Sequence, residues 1–394
     1  MTEVFLIGGA RTPIGRYGGA LASMRPDDLA ALVVREAVTR AGVPDEAIDE
    51  VMLGAANQAG EDNRNVARMA VLLAGLPDDV PGITVNRLCA SGMSAIAMAA
   101  QAIRAGDADV MVAGGVESMT RAPWVQAKPE RAWGKPGDAF DTSIGWRFTN
   151  PRLAARDKAT FSMPETAEEV ARRDGISRED ADAFALHSQQ RAIDAIDTGR
   201  FAAEIVAVPT RTGEVAVDEG PRRDTSLEAL AALRPVVAGG SVVTAGNSSS
   251  LNDGASAIVV ASAEAVRRYG LVPRARIVTA TSAALAPEIM GLGPVPATEK
   301  ALQRAGLGIA DIGAVELNEA FATQSLASIR RLGLDSEIVN RDGGAIALGH
   351  PLGSSGCRIV VTLLGRMERE NARRGLATMC VGVGQGTAMI VERV

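Results

Sequence analysis

Aromatic residues are scarce, only 3% of 394 residues, and histidine is rarer still, with two in the whole chain. A core without rings must be built from Ala, Val, Leu and Ile, which suits closely packed elements. Cysteine occurs three times. That odd number at wide spacing argues against a disulfide framework and for a reducing compartment, the cytoplasm. The cysteines and the two histidines lack metal-site spacing, so no metal is expected. No run approaches the ~18 consecutive apolar residues of a membrane-spanning helix, so no membrane insertion is expected. Met1-Thr2-Glu3-Val4-Phe5-Leu6-Ile7 lacks the basic and long apolar regions of a signal peptide and reads as a first strand. A net charge of −6 offers no excess of cations to hold nucleic acid. One local basic stretch, Arg121, Lys128, Arg131 and Lys135, is opposed by Glu130 and reads either as a solvated loop or as an anion-binding surface.

What is abundant is small and apolar. Hydrophobic residues make up 47% of the chain, charged residues 22%, and there are 42 glycines. The length implies two or three domains and the texture favours α/β layering. Residues 4–9 read as a strand. Arg25-Pro26-Asp27-Asp28 opens a helix in which Leu29, Leu32, Val33 and Ala37 recur at helical spacing, and Gly42 closes it. Val51-Met52-Leu53 is a short buried strand, Val85 ends another, Cys89 to Ala105 is a helix buried on all sides, and Asp109 to Ala113 returns to strand. Residues 119–250 differ, being richer in Arg, Asp, Trp, Phe and Pro. Inside them Ser162-Met-Pro-Glu165 and Ser177-Arg-Glu-Asp180 have capping-box spacing.

The last third repeats the first. Arg40-Ala41-Gly42-Val43 matches Arg304-Ala305-Gly306-Leu307, and Ile48 with Val51 matches Ile312 with Val315. At the same offset of 264, Cys89-Ala-Ser-Gly92 falls on Gly353-Ser-Ser-Gly356. Two copies of one βαβ-type unit, each starting a buried helix after a Gly or Cys turn, explain the register. The copies differ where the first has Cys89 and the second a glycine.

Cys89 stands at the predicted N-terminus of a buried helix, where the dipole stabilises a thiolate and lowers its pKa from ~8.5 toward neutrality. A small buried residue is the plainer reading of such a cysteine. His350, in a glycine-rich run from Gly343 to Gly356, is able to take a proton from a thiol. His187 lies on a polar helix and reads as surface. Cys380 begins Cys380-Val-Gly382-Val-Gly384-Gln-Gly386 at a strand end matching Ala113-Gly114-Gly115, and is expected to face a cleft. The spaced glycines also suit a dinucleotide loop, but strand-like Met389-Ile390-Val391 follows where a helix is required. Cys357, inside the second buried helix, reads as core. Asn318 and Glu319 suit helix caps, while Asn318 also suits a water aimed at an oxyanion.

With these pieces in order, the chain resembles the thiolase family over its whole length, on Asn86-Arg-Leu-Cys89-Ala-Ser-Gly92, Asn318-Glu-Ala-Phe321, Gly349-His350-Pro351 and Cys380-Val-Gly382-Val-Gly384. The resemblance implies an α/β fold of five layers, αβαβα, from two duplicated halves. It places an N-terminal half at 1–118, completed at about 251–272, a loop domain covering coenzyme A at 119–250, and a C-terminal half at 273–394. It implies that Cys89 is the nucleophile that becomes acylated and that His350 activates it. His350 and a water on Asn318 then bind a thioester oxygen, Cys380 moves the α-proton, and the N–H groups of Cys89 and Gly382 form a second oxyanion hole. Thr244-Ala-Gly-Asn247-Ser-Ser249 matches a pantetheine-contacting turn and implies Ser249; Arg222 and Met163 are the other implied coenzyme A or substrate contacts. Ser248 and Ser250 depart from the family's usual Asn-Ala-Ser-Gly turn.

Phe140-Asp-Thr-Ser-Ile-Gly-Trp-Arg-Phe148 and Ser162-Met-Pro-Glu-Thr166 look like the 3-oxoadipyl-CoA thiolases. The implied reaction is CoA-dependent cleavage of 3-oxoadipyl-CoA, or another 3-oxoacyl-CoA, to acetyl-CoA and a shortened acyl-CoA. Coenzyme A is then a substrate, and no cofactor is held permanently. Claisen condensation to acetoacetyl-CoA is the alternative, followed by a ketosynthase-like condensing enzyme and a non-catalytic CoA-binding scaffold. Arg147, a cation in the loop segment, is a candidate partner for a distal substrate carboxylate. The resemblance also implies a homo-oligomer, tetramer or dimer.

Overall fold

The computed structural model describes residues 2–394. In chain order the first part carries β1 (Val4–Arg11), α1 (Pro26–Ala41), β2 (Glu50–Gly54), β3 (Gly82–Val85), α2 (Ser91–Ala105) and β4 (Val110–Ser118). The middle contributes α3 (Met163–Asp174) and α4 (Arg178–Asp197). Then come β5 (Asn252–Ser262), β6 (Pro273–Ala284), α5 (Pro294–Ala305), β7 (Ala314–Leu317), α6 (Ala322–Leu332), α7 (Leu352–Arg369), β8 (Arg374–Val381) and β9 (Gln385–Arg393).

The strands form two half-sheets, ordered β3-β2-β4-β5-β1 and β7-β8-β9-β6, hydrogen-bonded edge to edge through β1 and β6. In the first, β2 runs parallel to β3 and β4, and β5 runs antiparallel to β4 and β1. In the second, β7 runs parallel to β8, and β9 runs antiparallel to β8 and β6. The halves are therefore copies. The offset read from the sequence holds in three dimensions: Val110 and Arg374 start equivalent strands (374 − 110 = 264), and the short 3₁₀ turns Asp45–Ala47 and Ile309–Asp311 also correspond. The second copy of β3 is reduced to a single bridge, Val315 to Val339.

Side-chain alternation along the strands sets the layers. Val110, Val112 and Val116 of β4 pack outward with Leu29, Val33 and Ala37 of α1. Met111 and Ala113 face inward, toward Ile96 of α2 and Val360 and Leu364 of α7. In the second half, Leu376 and Ile390 pack outward with Ala297 of α5 and Ile329 of α6, while Ala377, Met379 and Met389 face the same central helices. Five layers result: α1, half-sheet, α2 with α7, half-sheet, α5 with α6. Leu88–Ala105 has the length and mean hydropathy, 1.2, of a membrane span, yet it is the central-layer helix. Its burial is less complete than expected, because Met98 and Gln101 are exposed on one face.

The two central helices touch at glycines. A Cβ on Gly92 would lie 2.7 Å from the Gly353 carbonyl and 2.9 Å from Cys357 N, and one on Gly356 would lie 2.4 Å from Met93 N. Only hydrogen side chains allow this approach. Gly92 and Gly356 are equivalent by the repeat, so the duplication sets the first turns of α2 and α7 against each other.

Local signals account for the helix ends. Pro26 sits in the first turn of α1, and Gly42 (φ 67°) closes it in the left-handed region. The Ser162 N–H donates to Glu165 at the start of α3, 2.7 Å away. The box at α4 is one-sided: Ser177 Oγ accepts the Asp180 N–H, but Asp180 turns its carboxylate to Arg330, 2.7 Å away. Residues 119–250 also hold two small hairpins, Trp124–Gln126 with Ala139–Asp141 and Val208–Thr210 with Gly213–Val215. A buried network ties them to β1, with Arg11 held by Glu204 at 2.6 Å and bidentately by Asp218 at 2.7 and 2.8 Å.

Candidate active site

Cys89 lies on a 3₁₀ turn, Leu88–Ala90, just before α2, whose first residue is Ser91 rather than the expected Cys89. Leu88 has φ 48°, a strained conformation for a branched side chain. The turn is pinned on both sides. Asn86 Oδ1 accepts the Leu88 N–H at 2.8 Å, and Ser91 Oγ accepts the Arg87 N–H and donates to the Leu88 carbonyl, at 2.8 and 2.7 Å. Cys380, penultimate in β8, leads into a second strained turn, with Val383 at φ 62° and Gly384 at φ 76°. The expectation that Cys380 faces an open cleft is corrected. It is 1% exposed, enclosed by Ala167, Val243, Met290, Ala320 and Phe321, with Met163 alongside.

These turns meet. The N–H groups of Gly382 and of Cys89 itself lie near enough to the Cys89 sulfur to favour its thiolate, and the sulfur lies close enough to Cys380 to raise its pKa. A Cβ on Gly382 would touch Leu88 at 3.1 Å and Met163 sulfur at 3.8 Å. His350 enters from the start of α7. Gly349 before it has φ 111°, and a Cβ there would lie 2.4 Å from the Asn252 side chain, so only glycine fits. The His350 N–H donates to Asn252 Oδ1 at 2.9 Å. Ser355 Oγ donates to the Pro351 carbonyl at 2.9 Å and is 2.7 Å from His350 Nδ1. With its hydrogen so engaged, Ser355 accepts from Nδ1–H, which leaves the basic lone pair on Nε2. Nε2 faces Asn318 Nδ2 at 3.4 Å. Asn318 follows β7, its N–H bonded at 3.1 Å to the Thr378 carbonyl, two residues before Cys380. Among the described residues its Oδ1 is buried without a partner, an acceptor suited to a water or a ligand.

Burial sets the charge state. It pushes the Cys89 thiol up to about 11, against the two N–H donors that pull it down, and Glu117 nearby adds to the rise. Burial thus opposes the helix-terminus argument for a lowered pKa, since a dipole effect of ~1 kcal/mol is smaller than a desolvation of several, although the Cys89 side chain is only half-buried. Burial, with Arg358 close by, depresses His350 to about 3. Burial and Cys89 raise Cys380. At rest Cys89 is therefore a thiol and His350 a neutral imidazole.

Ser249 and Met163 join this cluster, and Arg222 does not. The Ser249 N–H and Oγ both donate to the Ala320 carbonyl, at 3.0 and 3.1 Å, which lays the 244–250 turn on Asn318–Phe321. Arg222 donates its backbone N–H to Gln189 Oε1, on α4. Asn318 and Glu319 are not caps, since α6 starts at Ala322. Glu319 instead accepts from Ser188, Asn340 and the Ile346 N–H. Cys357 is core and His187 is exposed, as expected. Sequence reasoning missed Glu117, Asn252 and Ser355. Buried Glu117 accepts N–H bonds from Ala56, Asn57 and Gly353, joining the loop after β2 to the first turn of α7. A lone carboxylate ending the apolar run Val110–Val116 was its one signal.

The family profile "Thiolase, N-terminal domain" matches residues 4–264, and "Thiolase, C-terminal domain" matches 271–393. The chain belongs to the thiolase family. Beta-ketoadipyl-CoA thiolase of Pseudomonas aeruginosa is 58% identical, covering 100% of this chain and 99% of its own. The 3-oxoadipyl-CoA/3-oxo-5,6-dehydrosuberyl-CoA thiolase of Escherichia coli is 55% identical with full coverage of both chains. The solved human mitochondrial 3-ketoacyl-CoA thiolase in complex with CoA superposes with a TM-score of 0.94 at 39% identity, covering 100% of this chain and 98% of that one. Thiolases are acyltransferases that take coenzyme A as substrate, and this thiolase has their five-layered fold.

Proposed function

We propose that this thiolase cleaves 3-oxoadipyl-CoA with coenzyme A, giving acetyl-CoA and succinyl-CoA. Cys89 passes its proton to His350 Nε2 and attacks the C3 ketone. The C2–C3 bond breaks, the acetyl-CoA enolate takes the Cys380 proton at C2, and the acyl group stays on Cys89. Coenzyme A then gives its thiol proton to Cys380 and displaces Cys89, which recovers its proton from His350. An α-carbon beside a thioester is a far weaker acid than a thiol, so the enolate oxygen needs donors; losing one such donor typically costs ~3–4 kcal/mol. His350, with a water on Asn318, serves that oxygen, and the Cys89 and Gly382 N–H groups serve the oxygen on C3. A neutral thiol beside a neutral imidazole avoids burying an ion pair until substrate displaces water.

The observation that carries this reading is the meeting of the two turns, where a Cβ on Gly382 would lie 3.1 Å from Leu88, next to Cys89, with Cys380 two residues from Gly382 and close enough to Cys89 to be raised by it. Residues 119–250 serve as the loop domain over coenzyme A, with Ser249 and Met163 near the reacting end and Arg222 toward the nucleotide. Three free thiols fit a cytoplasmic enzyme. The enzyme works as a homo-oligomer, tetramer or dimer. In support, β3 is bonded on one side only, with Ile83 41% exposed, and Trp124 and Trp133 lie open. The names of the relatives at 58% and 55% identity support the dicarboxylic substrate, against an acetyl-CoA acetyltransferase at 45%. CoA-dependent cleavage of acetoacetyl-, 3-oxohexanoyl- and 3-oxoadipyl-CoA is the test. The highest kcat/KM is expected on 3-oxoadipyl-CoA; the highest value on acetoacetyl-CoA overturns the reading.

A further inference from the structure

Arg147 is a half-buried cation without a carboxylate. Among the described residues it forms no ion pair, and its fork of five N–H donors makes one hydrogen bond to the protein, Nη2 to Asn57 Oδ1 at 3.3 Å. Arg87, also unpaired and nearer Cys89 in sequence, is engaged on the α2 side by Ser94 and Gln385. The acceptor for Arg147 is held in place. Thr142 Oγ1 donates to the Pro123 carbonyl and accepts Asn57 Nδ2 at 3.1 Å, so the amide must turn its oxygen toward Arg147.

Asn57 connects directly to the nucleophile's turn. Its N–H and that of Ala56 hold Glu117, the Ala56 carbonyl accepts Asn86 Nδ2 at 2.9 Å, and Asn86 Oδ1 accepts the Leu88 N–H. The guanidinium is thus tied through Asn57, Ala56 and Asn86 to the turn that holds Cys89. Ile144, Trp146 and Phe148, its neighbours in the chain, are 45%, 37% and 54% exposed and leave apolar surface next to it in sequence. A succinyl group on Cys89 ends in a carboxylate roughly 5 Å beyond the sulfur, four bonds of about 1.5 Å in zigzag.

We infer that Arg147 is a specificity-determining residue that binds the distal carboxylate of the acyl chain through its free donors, an assignment resting on the dicarboxylic substrate proposed above. Asn57 orients the fork, and a bidentate pair rewards a planar carboxylate over a methyl end. Substrates of this chain are then 3-oxoacyl-CoA thioesters with a terminal carboxylate.

The test compares 3-oxoadipyl-CoA with 3-oxohexanoyl-CoA, equal in length but uncharged at the end, for wild type, Arg147→Ala and Arg147→Lys. A charge-assisted pair gives a selectivity of roughly 10- to 100-fold. The kcat/KM ratio of the two substrates should fall by about that factor in Arg147→Ala and be partly restored in Arg147→Lys, whose charge remains without the fork. An equal loss on both substrates, as for a folding defect or a contact to the coenzyme A phosphates, overturns the inference, as does an unchanged ratio. If wild type itself shows no preference for the dicarboxylic substrate, the substrate reading falls first and takes this assignment with it.

Discussion

Replacing Gly356 by alanine drives a methyl group into the contact between α7 and α2. The added carbon would lie 2.4 Å from Met93 N and 2.9 Å from Met93 Cβ, where ordinary contact begins near 3.4 Å. The deficit, 3.4 − 2.4, is 1.0 Å, and it falls on helix backbone rather than on a flexible side-chain end. The helices must separate by about that much. Overpacking costs about 1–3 kcal/mol, partly offset by the ~1 kcal/mol helix preference of alanine over glycine. Stability measured by urea unfolding should therefore fall only modestly. Turnover should suffer more, because His350 lies just before α7 and Cys89 on the turn just before α2, and a misplacement of about 1 Å can cost ~10²-fold. Gly365 on the same helix is the control. A Cβ there meets Arg369 Nη1 at 3.1 Å and Arg274 Nη2 at 3.9 Å, both the ends of flexible side chains, so Gly365→Ala should keep full turnover and gain stability. Wild-type turnover and stability in Gly356→Ala would refute the idea that this crossing sets the distance between imidazole and thiol.

Two further outcomes follow from the buried charges. Burial raises Glu117 to about 7 from an ordinary 4.5. Its stabilising contribution is then full below the unfolded value and is lost as pH rises toward 7, over a window worth about 3 kcal/mol (2.5 × ~1.36) at most. Glu117→Gln, which sets an amide against three N–H donors, should destabilise by about 1–3 kcal/mol at pH 5, and that deficit should narrow at pH 8. A deficit that widens with pH means the three donors win over desolvation. For Cys89, raised to about 11, the rate of alkylation by iodoacetamide in the substrate-free enzyme should still climb between pH 7 and 9, because only thiolate reacts. A plateau reached by pH 7 would mean a resting thiolate and sink the neutral-pair description.

The duplication, the strand and helix sites and the cluster of motifs were legible because they are local or periodic. Glycines at 92 and 356 fall in one register, and the alternation along β4 already separates its two faces. Contacts that depend on the packed whole were not legible. Leu88 adopts φ 48° because Asn86 and Ser91 grip the turn around it, so α2 starts two residues later than the pattern suggests. Asp180 has the spacing of a capping acid, but Arg330, 150 residues away in sequence, takes it. The rise that burial brings to the Cys89 thiol was not legible for the same reason. The helix end is visible in the sequence, whereas the burial that outweighs it comes from layers folded around it. Glu117 and Ser355 are single polar residues in apolar surroundings, and only the fold shows that one reaches Gly353 and the other His350.

The division of labour between the two cysteines is the most direct point to measure. Cys380→Ser is incubated with acyl-CoA, followed by intact mass and peptide mapping, alongside Cys89→Ser. The acyl mass is expected on the peptide holding Cys89 in Cys380→Ser, with carbon–carbon cleavage abolished, and on no peptide in Cys89→Ser. Acyl mass retained by Cys89→Ser, or equal loss of both steps in Cys380→Ser, contradicts the assignment of nucleophile and proton carrier.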